Sequence, residues 1–108
     1  MSSAMRMGWL ALCCLWAFGC APTPSGFEVC NDYCSLAQRC GGYTQADVRN
    51  CQVMCQSRKS EFDQEDREFD EQCSNRADFY NAILSCHQRA CDELEGCLEA
   101  VSSECVPR

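Results

Sequence analysis

The sequence predicts a small all-α domain, a bundle of four or five helices arranged as two helical hairpins and stapled by disulfides. Three observations carry this expectation. Thirteen of the 108 residues are cysteine, a share above the roughly 8–10% that marks a disulfide scaffold in a short exported chain. Between Phe27 and Val106 the only glycines are Gly41, Gly42 and Gly96, and proline is absent, so little interrupts a helix. In the same stretch apolar residues recur at helical spacing, and no period-two run of β-branched residues suggests a strand.

Taken in order, the chain opens with Met1 to Met7, which holds one basic residue, Arg6, followed by the apolar run from Gly8 to Phe18. A short basic segment before a short apolar one is the pattern of an export signal. The run is too short to cross a bilayer, which takes about 20 apolar residues. Residues 1–19 are therefore read as a signal peptide outside the fold, residues 20–26 as a Pro- and Ser-containing tether, and residues 27–108 as the Cys-rich helical domain.

Val29, Tyr33, Leu36 and Cys40 share one helical face, with Cys30 and Cys34 on the adjacent stripe, and Gly41-Gly42 stops that helix. Thr44 to Asp47 is a capping-box pattern opening a second helix, in which Val48, Cys51 and Cys55 share a face. Ser60 and Asp63 repeat the cap signal weakly. From Glu61 to Glu71 there are seven acids and one arginine, so this segment reads as a solvated helix that shows the core only Phe62 and Phe69. Phe79, Ile83, Cys86 and Ala90 form a further stripe. After a cap at Asp92 to Glu95, Leu94, Leu98, Val101 and Cys105 form the last.

The disulfides follow from helix geometry. In an antiparallel hairpin, residues at the same height have a constant index sum. The pairs 30 with 55 and 34 with 51 share the sum 85, centred on Gly42, which predicts Cys30–Cys55 and Cys34–Cys51. For 86 and 97 the sum is 183, centred on Cys91-Asp92, which predicts Cys86–Cys97. Among the rest, Cys91 to Cys105 would have to span a helix about 20 Å long, and Cys73 to Cys91 a similar length if that segment is helical, against the limit of about 7 Å between the Cα atoms of a disulfide. Elimination leaves Cys40–Cys91 and Cys73–Cys105, stitching one hairpin to the other.

Two resemblances bear on these residues. The twin CX3C spacing from Cys30 to Cys55 resembles, in spacing only and over about 26 residues, the α-hairpinins of plants and the twin-CX3C small chaperones of mitochondria. The segment Ala17-Phe18-Gly19-Cys20 resembles a bacterial lipobox, although Leu is preferred where Ala17 stands and a small residue where Phe18 stands. This resemblance implies diacylglyceryl transfer to Cys20 and membrane attachment through that N-terminal lipid. Ala21 after the modified cysteine implies the outer membrane. An ordinary secretory cut after Gly19 is the alternative, and it leaves Cys20 as a free thiol. Parity favours lipidation: without Cys13 and Cys14 the chain keeps eleven cysteines, and modifying Cys20 leaves ten, enough for five bridges. In style the chain is similar to small Cys-rich lipoproteins of myxobacterial type, a similarity that implies location and no activity.

Composition and motifs exclude more than they assign. The formal charge is −7, so no nucleic-acid partner is expected, because phosphate backbones select clustered Lys and Arg. No G-x-S-x-G, P-loop or H-E-x-x-H motif is present, and no cofactor or metal is expected. Oxidised cysteines are not thiolate ligands for zinc. The single histidine, His87, stands four residues before Cys91 and reads as a half-exposed helix residue beside a bridged cysteine rather than a metal or Cys-His pair. Asp63, Glu65, Asp66, Asp70 and Glu71 lack the order and central glycine of a calcium loop and read as a solvated face. The expectation is a non-enzymatic binding or structural module of the cell envelope, with an unidentified protein partner and an oligomeric state the sequence does not address. The rival reading is a secreted inhibitor or toxin-like hairpin that presents the Cys40-Gly41-Gly42-Tyr43 loop with Arg39 exposed.

Overall fold

Helix-terminus chemistry sets the boundaries of the first hairpin. A computed structural model describes residues 23–108. In it α1 runs Gly26–Cys40, started by Ser25, whose Oγ accepts from the Glu28 backbone N–H at 3.1 Å. Gly41 closes the helix by donating its N–H to the Ala37 carbonyl at 2.8 Å. A Cβ at Gly41 would lie 2.9 Å from that same oxygen, and Gly42 follows with φ 73°, so the turn requires both glycines. Helix α2, Gln45–Ser57, then opens on a complete capping box. The Asp47 N–H donates to Thr44 Oγ1 at 3.1 Å, and the Thr44 N–H donates to Asp47 Oδ2 at 3.0 Å. These bonds hold the Asp47 carboxyl below its ordinary range.

Three further helices complete the all-α bundle: α3 (Lys59–Gln72), α4 (Arg76–Cys86) and α5 (Cys91–Ala100). Helix α3 follows α2 with only Arg58 between them. Neither Ser60 nor Asp63 caps it, since both lie within the helix and no side chain bonds the cap. Arg58 to Glu61 at 3.0 Å and Lys59 to Asp63 at 2.8 Å brace the first turn instead. The cap expected at Asp92 to Glu95 also shifts: α5 starts at Cys91 after an extended Ala90, with no side-chain cap. Ala90 therefore lies outside α4, and Val101 and Cys105 lie beyond α5. Residues 102–108 instead run back along the end of α3. There Cys73 and Pro107 form an isolated antiparallel bridge, with Ser74 N–H donating to the Val106 carbonyl at 2.8 Å.

Five disulfides tie these pieces together: Cys30–Cys55, Cys34–Cys51, Cys40–Cys91, Cys73–Cys105 and Cys86–Cys97, with Cα separations of 5.3–5.9 Å. The residues paired are those expected from index sums and elimination, though one premise differs. The α4–α5 connection is centred near residues 88–89 rather than at Cys91-Asp92, so Cys86–Cys97 joins the end of α4 to the second turn of α5. Among the described residues the buried apolar side chains are Cys34, Leu36, Ala37, Cys55, Cys73 and Cys86. Four of these six are half-cystines, so the core is largely sulfur.

The N-terminal boundary of the domain lies earlier than residue 27. Gly26 is buried, and its N–H donates to Asp66 Oδ2 at 3.0 Å. Arg76 Nη1 donates to the Pro24 carbonyl at 2.7 Å. Asp66 itself is a correction to the solvated-face reading, because it is 6% exposed. Its Oδ1 accepts the Tyr80 hydroxyl at 2.7 Å, and Arg76 lies 3.4 Å from its Oδ2. One carboxylate thus joins α3, α4 and the start of α1. A Cβ at Gly26 would meet Asp66, Phe62 and Tyr80, each at 3.3 Å, so the same packing that buries Asp66 favours glycine there.

Two outcomes follow from this network. Asp66→Ala leaves the Tyr80 hydroxyl and the Gly26 N–H without their acceptor, while Arg76 keeps Asp70 and the Pro24 carbonyl, and is expected to cost about 1–3 kcal/mol for each donor left unpaired, read as a lower urea midpoint; Asp66→Asn, which keeps an acceptor, should lose less. Burial first, and the bond to Asp66 second, push the Tyr80 phenol well above its ordinary value of 10.0. Above that pH the unfolded phenol ionises while the folded one stays neutral, so stability falls as pH rises. Tyr80→Phe should flatten this alkaline loss in denaturant titrations between pH 9 and 11, about one unit either side of the ordinary value.

Candidate functional site

Because the core is small, much apolar surface remains on show, and it collects on both sides of α1. One groove of about 580 Å³ lies between α1 and α2, and includes Tyr33, Tyr43, Met54 and Phe62. Tyr33 and Met54 are 52% and 65% exposed, high for side chains of this size. A second groove, of about 600 Å³, runs on the other side of Tyr33 past Val29, Phe79, Ile83, His87 and Leu98. Cys30, Tyr33 and Phe62 border both grooves, so the two adjoin as one largely apolar trough, with Asp47, Asn50 and Arg58 lining the first groove's side. Contiguous exposed apolar surface of this kind marks binding faces.

The scaffold of the trough is the pair of rungs Cys30–Cys55 and Cys34–Cys51. Cys34 Sγ and Cys55 Sγ, from different rungs, are 3.6 Å apart. The sulfurs of Cys34, Cys51 and Cys55 all lie within 4.8 Å of one another, close enough to share an ion, yet each is in a disulfide and none is a thiolate ligand unless reduced.

His87 departs from its half-exposed expectation. It caps the end of α4 and is 7% exposed, with Nδ1 2.7 Å from Asp32 Oδ2 on α1. Arg39 Nη2 donates to the His87 carbonyl at 2.6 Å, and the Tyr33 ring centroid is 6.4 Å from that of His87. The expected neighbour of His87, Cys91, is bridged to Cys40. The Asp32–His87 pair was missed by sequence reasoning because 55 residues separate the partners. The available signal was the Cys40–Cys91 bridge, which sets the segment before Cys91 against α1. The same contacts engage Arg39, the residue an inhibitory loop would offer.

The acids singled out in sequence divide along α3. Glu65 and Glu71 are exposed and Asp63 half-buried in the ion pair with Lys59. Asp70 bonds Arg76 Nε at 2.9 Å, and that bond is the main reason its carboxyl sits below the ordinary range. Asp66 belongs to the buried network. The five acids thus do not form one cluster: Asp66 and Asp70 share Arg76, Asp63 pairs with Lys59, and Glu65 and Glu71 face solvent. Cys20 and the lipobox-like segment lie outside the described residues.

No family model, curated protein or solved structure matches the chain. Five disulfides are the mark of an oxidising compartment. Among the described residues no helix is long and apolar enough to cross a membrane.

The five bridges are unequal in exposure. Four have a buried member, whereas Cys40 is half-buried and Cys91 exposed. Arg39 Nη1 stands 3.7 Å from Cys91 Sγ, where a cation stabilises a departing thiolate. Limiting reductant followed by alkylation and peptide mapping should label Cys40 and Cys91 first, and Arg39→Ala should slow that step several-fold.

Proposed function

We propose that this chain is an exported, lipid-anchored envelope protein whose disulfide-stapled helical domain is a non-enzymatic binding module. The apolar trough carries the reading: the fold leaves it open and supports it from beneath with two covalent rungs. Such rigidity lowers the ordering cost of binding. The Asp32–His87 pair has the geometry of an oriented base, yet no hydroxyl or thiol nucleophile among the described residues is hydrogen-bonded to the His87 ring, so binding accounts for it better than catalysis.

Attachment through Cys20 rests on the lipobox-like Ala17-Phe18-Gly19-Cys20 and on parity. All ten described cysteines are bridged, which leaves Cys20 unmatched in a chain cut before it. Pro24, pinned by Arg76, lies only four residues beyond Cys20, so at most about 14 Å of extended chain separates the lipid from the domain. Two or three acyl chains give stable anchoring where one does not. Arg39 is exposed, as the inhibitor reading asks, but its guanidinium is bonded to the His87 carbonyl, which disfavours its insertion into a protease.

The intact non-reduced mass of the protein from its native envelope tests both halves of the anchoring account. The expected value is that of Cys20 to Arg108 plus acyl chains less ten hydrogens, with Cys20→Ala shifting the protein out of the membrane fraction. An unacylated mass would overturn the anchor, and additional hydrogens would overturn the five-bridge scaffold.

A further inference from the structure

The second groove contains one buried polar side chain that the fold uses on one side only. The His87 side chain is only 5% exposed, and its Nδ1 faces Asp32 Oδ2 at 2.7 Å. An ionised carboxylate only accepts hydrogen bonds, so Nδ1 carries the hydrogen and Nε2 is the free position. Nε2 has no hydrogen-bond partner among the described residues. It is not sealed in either, because no buried side-chain nitrogen or oxygen lacks a partner, and His87 lines the groove. The ring is held on the other side by Asp32 and through its backbone by Arg39. The other polar side chains lining the groove, Tyr33 and Ser103, are exposed, so the buried His87 ring is its one fixed polar group, the arrangement that sets a small ligand's orientation.

The surroundings of Nε2 select the class of ligand. Val29, Phe79, Ile83, Leu98 and the rings of Tyr33 and Phe62 supply an apolar and partly aromatic wall. No Lys, Arg, Asp or Glu lines this groove, and the chain carries −7 overall, so neither a carboxylate nor a phosphate meets a fixed counter-charge. A hydroxyl both donates and accepts, and therefore suits Nε2 in either protonation state. The volume, about 600 Å³, lies in the usual range of about 300–1,000 Å³ for small-ligand sites. We propose that the groove beside His87 binds an uncharged amphiphile, an alkyl-aromatic body ending in a hydroxyl, with the hydroxyl bonded to His87 Nε2. This deepens the binding-module reading and rests on it, but does not depend on the lipid anchor.

The test titrates the oxidised, isotope-labelled full mature chain carrying Cys20→Ser with 4-propylphenol and, as control, propylbenzene. Recognition predicts that the phenol binds at least tenfold more tightly. It should shift the His87 ring nitrogen resonance and the methyl resonances of Ile83 and Leu98. His87→Phe should remove the preference while keeping the methyl shifts. Equal affinity for the two compounds would overturn hydroxyl recognition and leave an apolar binding groove in place. Shifts confined to Met54 and Tyr43 would assign the ligand to the other groove and overturn the site. No shift with either compound would overturn this proposal and leave the binding-module reading resting on a macromolecular partner for the exposed apolar surface. The comparison of the two compounds on the unsubstituted His87 chain stands even if His87→Phe does not fold.

Discussion

Everything in this domain depends on the sulfur ladder between α1 and α2. A chain of this length buries only a marginal apolar core, and here most of that core is cystine. The two rungs are not equivalent in effect. Closing Cys34–Cys51, 17 residues apart, removes much of the freedom of the unfolded hairpin. Cys30–Cys55 then adds only one helical turn on each side to an already closed loop, so its entropic contribution is smaller. What the second rung adds is register: two points fix the relative height and rotation of α1 and α2, where one would leave a pivot. The trough lies on the surface these rungs support, and its shape is set by covalent geometry more than by packing.

The remaining bridges do different work. Cys40–Cys91 and Cys73–Cys105 close separations of 51 and 32 residues and bring the second half of the chain against the first. Helix α5 has no buried residue, so packing alone gives it little reason to stay in place. It is held at its first residue by Cys40 and at its second turn by Cys86. The wall of the second groove that Leu98 provides is thus positioned by two disulfides.

The first hairpin was legible in the sequence because each of its determinants is local. Two glycines, a reciprocal cap and cysteines one helical turn apart all act within about 26 residues, and helix periodicity converts spacing directly into height. The second half was less legible because its signals compete. Asp92 and Glu93 resemble a cap but occupy the first turn of α5, where acids favour the helix dipole equally well. The apolar stripe continuing to Cys105 suggests a helix that in fact ends at Ala100, since the tail gains more by pairing with Ser74 and Asn75 through Val106 and Glu104. The pairing of Cys73 with Cys105 survives because the elimination rested on helix between Cys73 and Cys91 as well as after Cys91, and α4 and α5 supply enough of both even though α5 ends at Ala100.

Burial of polar side chains was the least legible feature, for a physical reason. Asp66 and His87 each stand in segments whose composition reads as solvated, and only partners 14 to 55 residues away make their burial tolerable. The two differ in what their burial accomplishes. Asp66 is fully engaged by Gly26, Tyr80 and Arg76, so its role is complete within the fold: it locks the entry of the chain to α3 and α4. His87 is engaged on one nitrogen only. A residue serving structure alone could have been apolar at this position, with neither the cost of burying an imidazole nor the need for Asp32 to orient it. An oriented ring with one open nitrogen beside an apolar wall is explained more economically by a ligand that completes its hydrogen bonding than by the stability of the bundle.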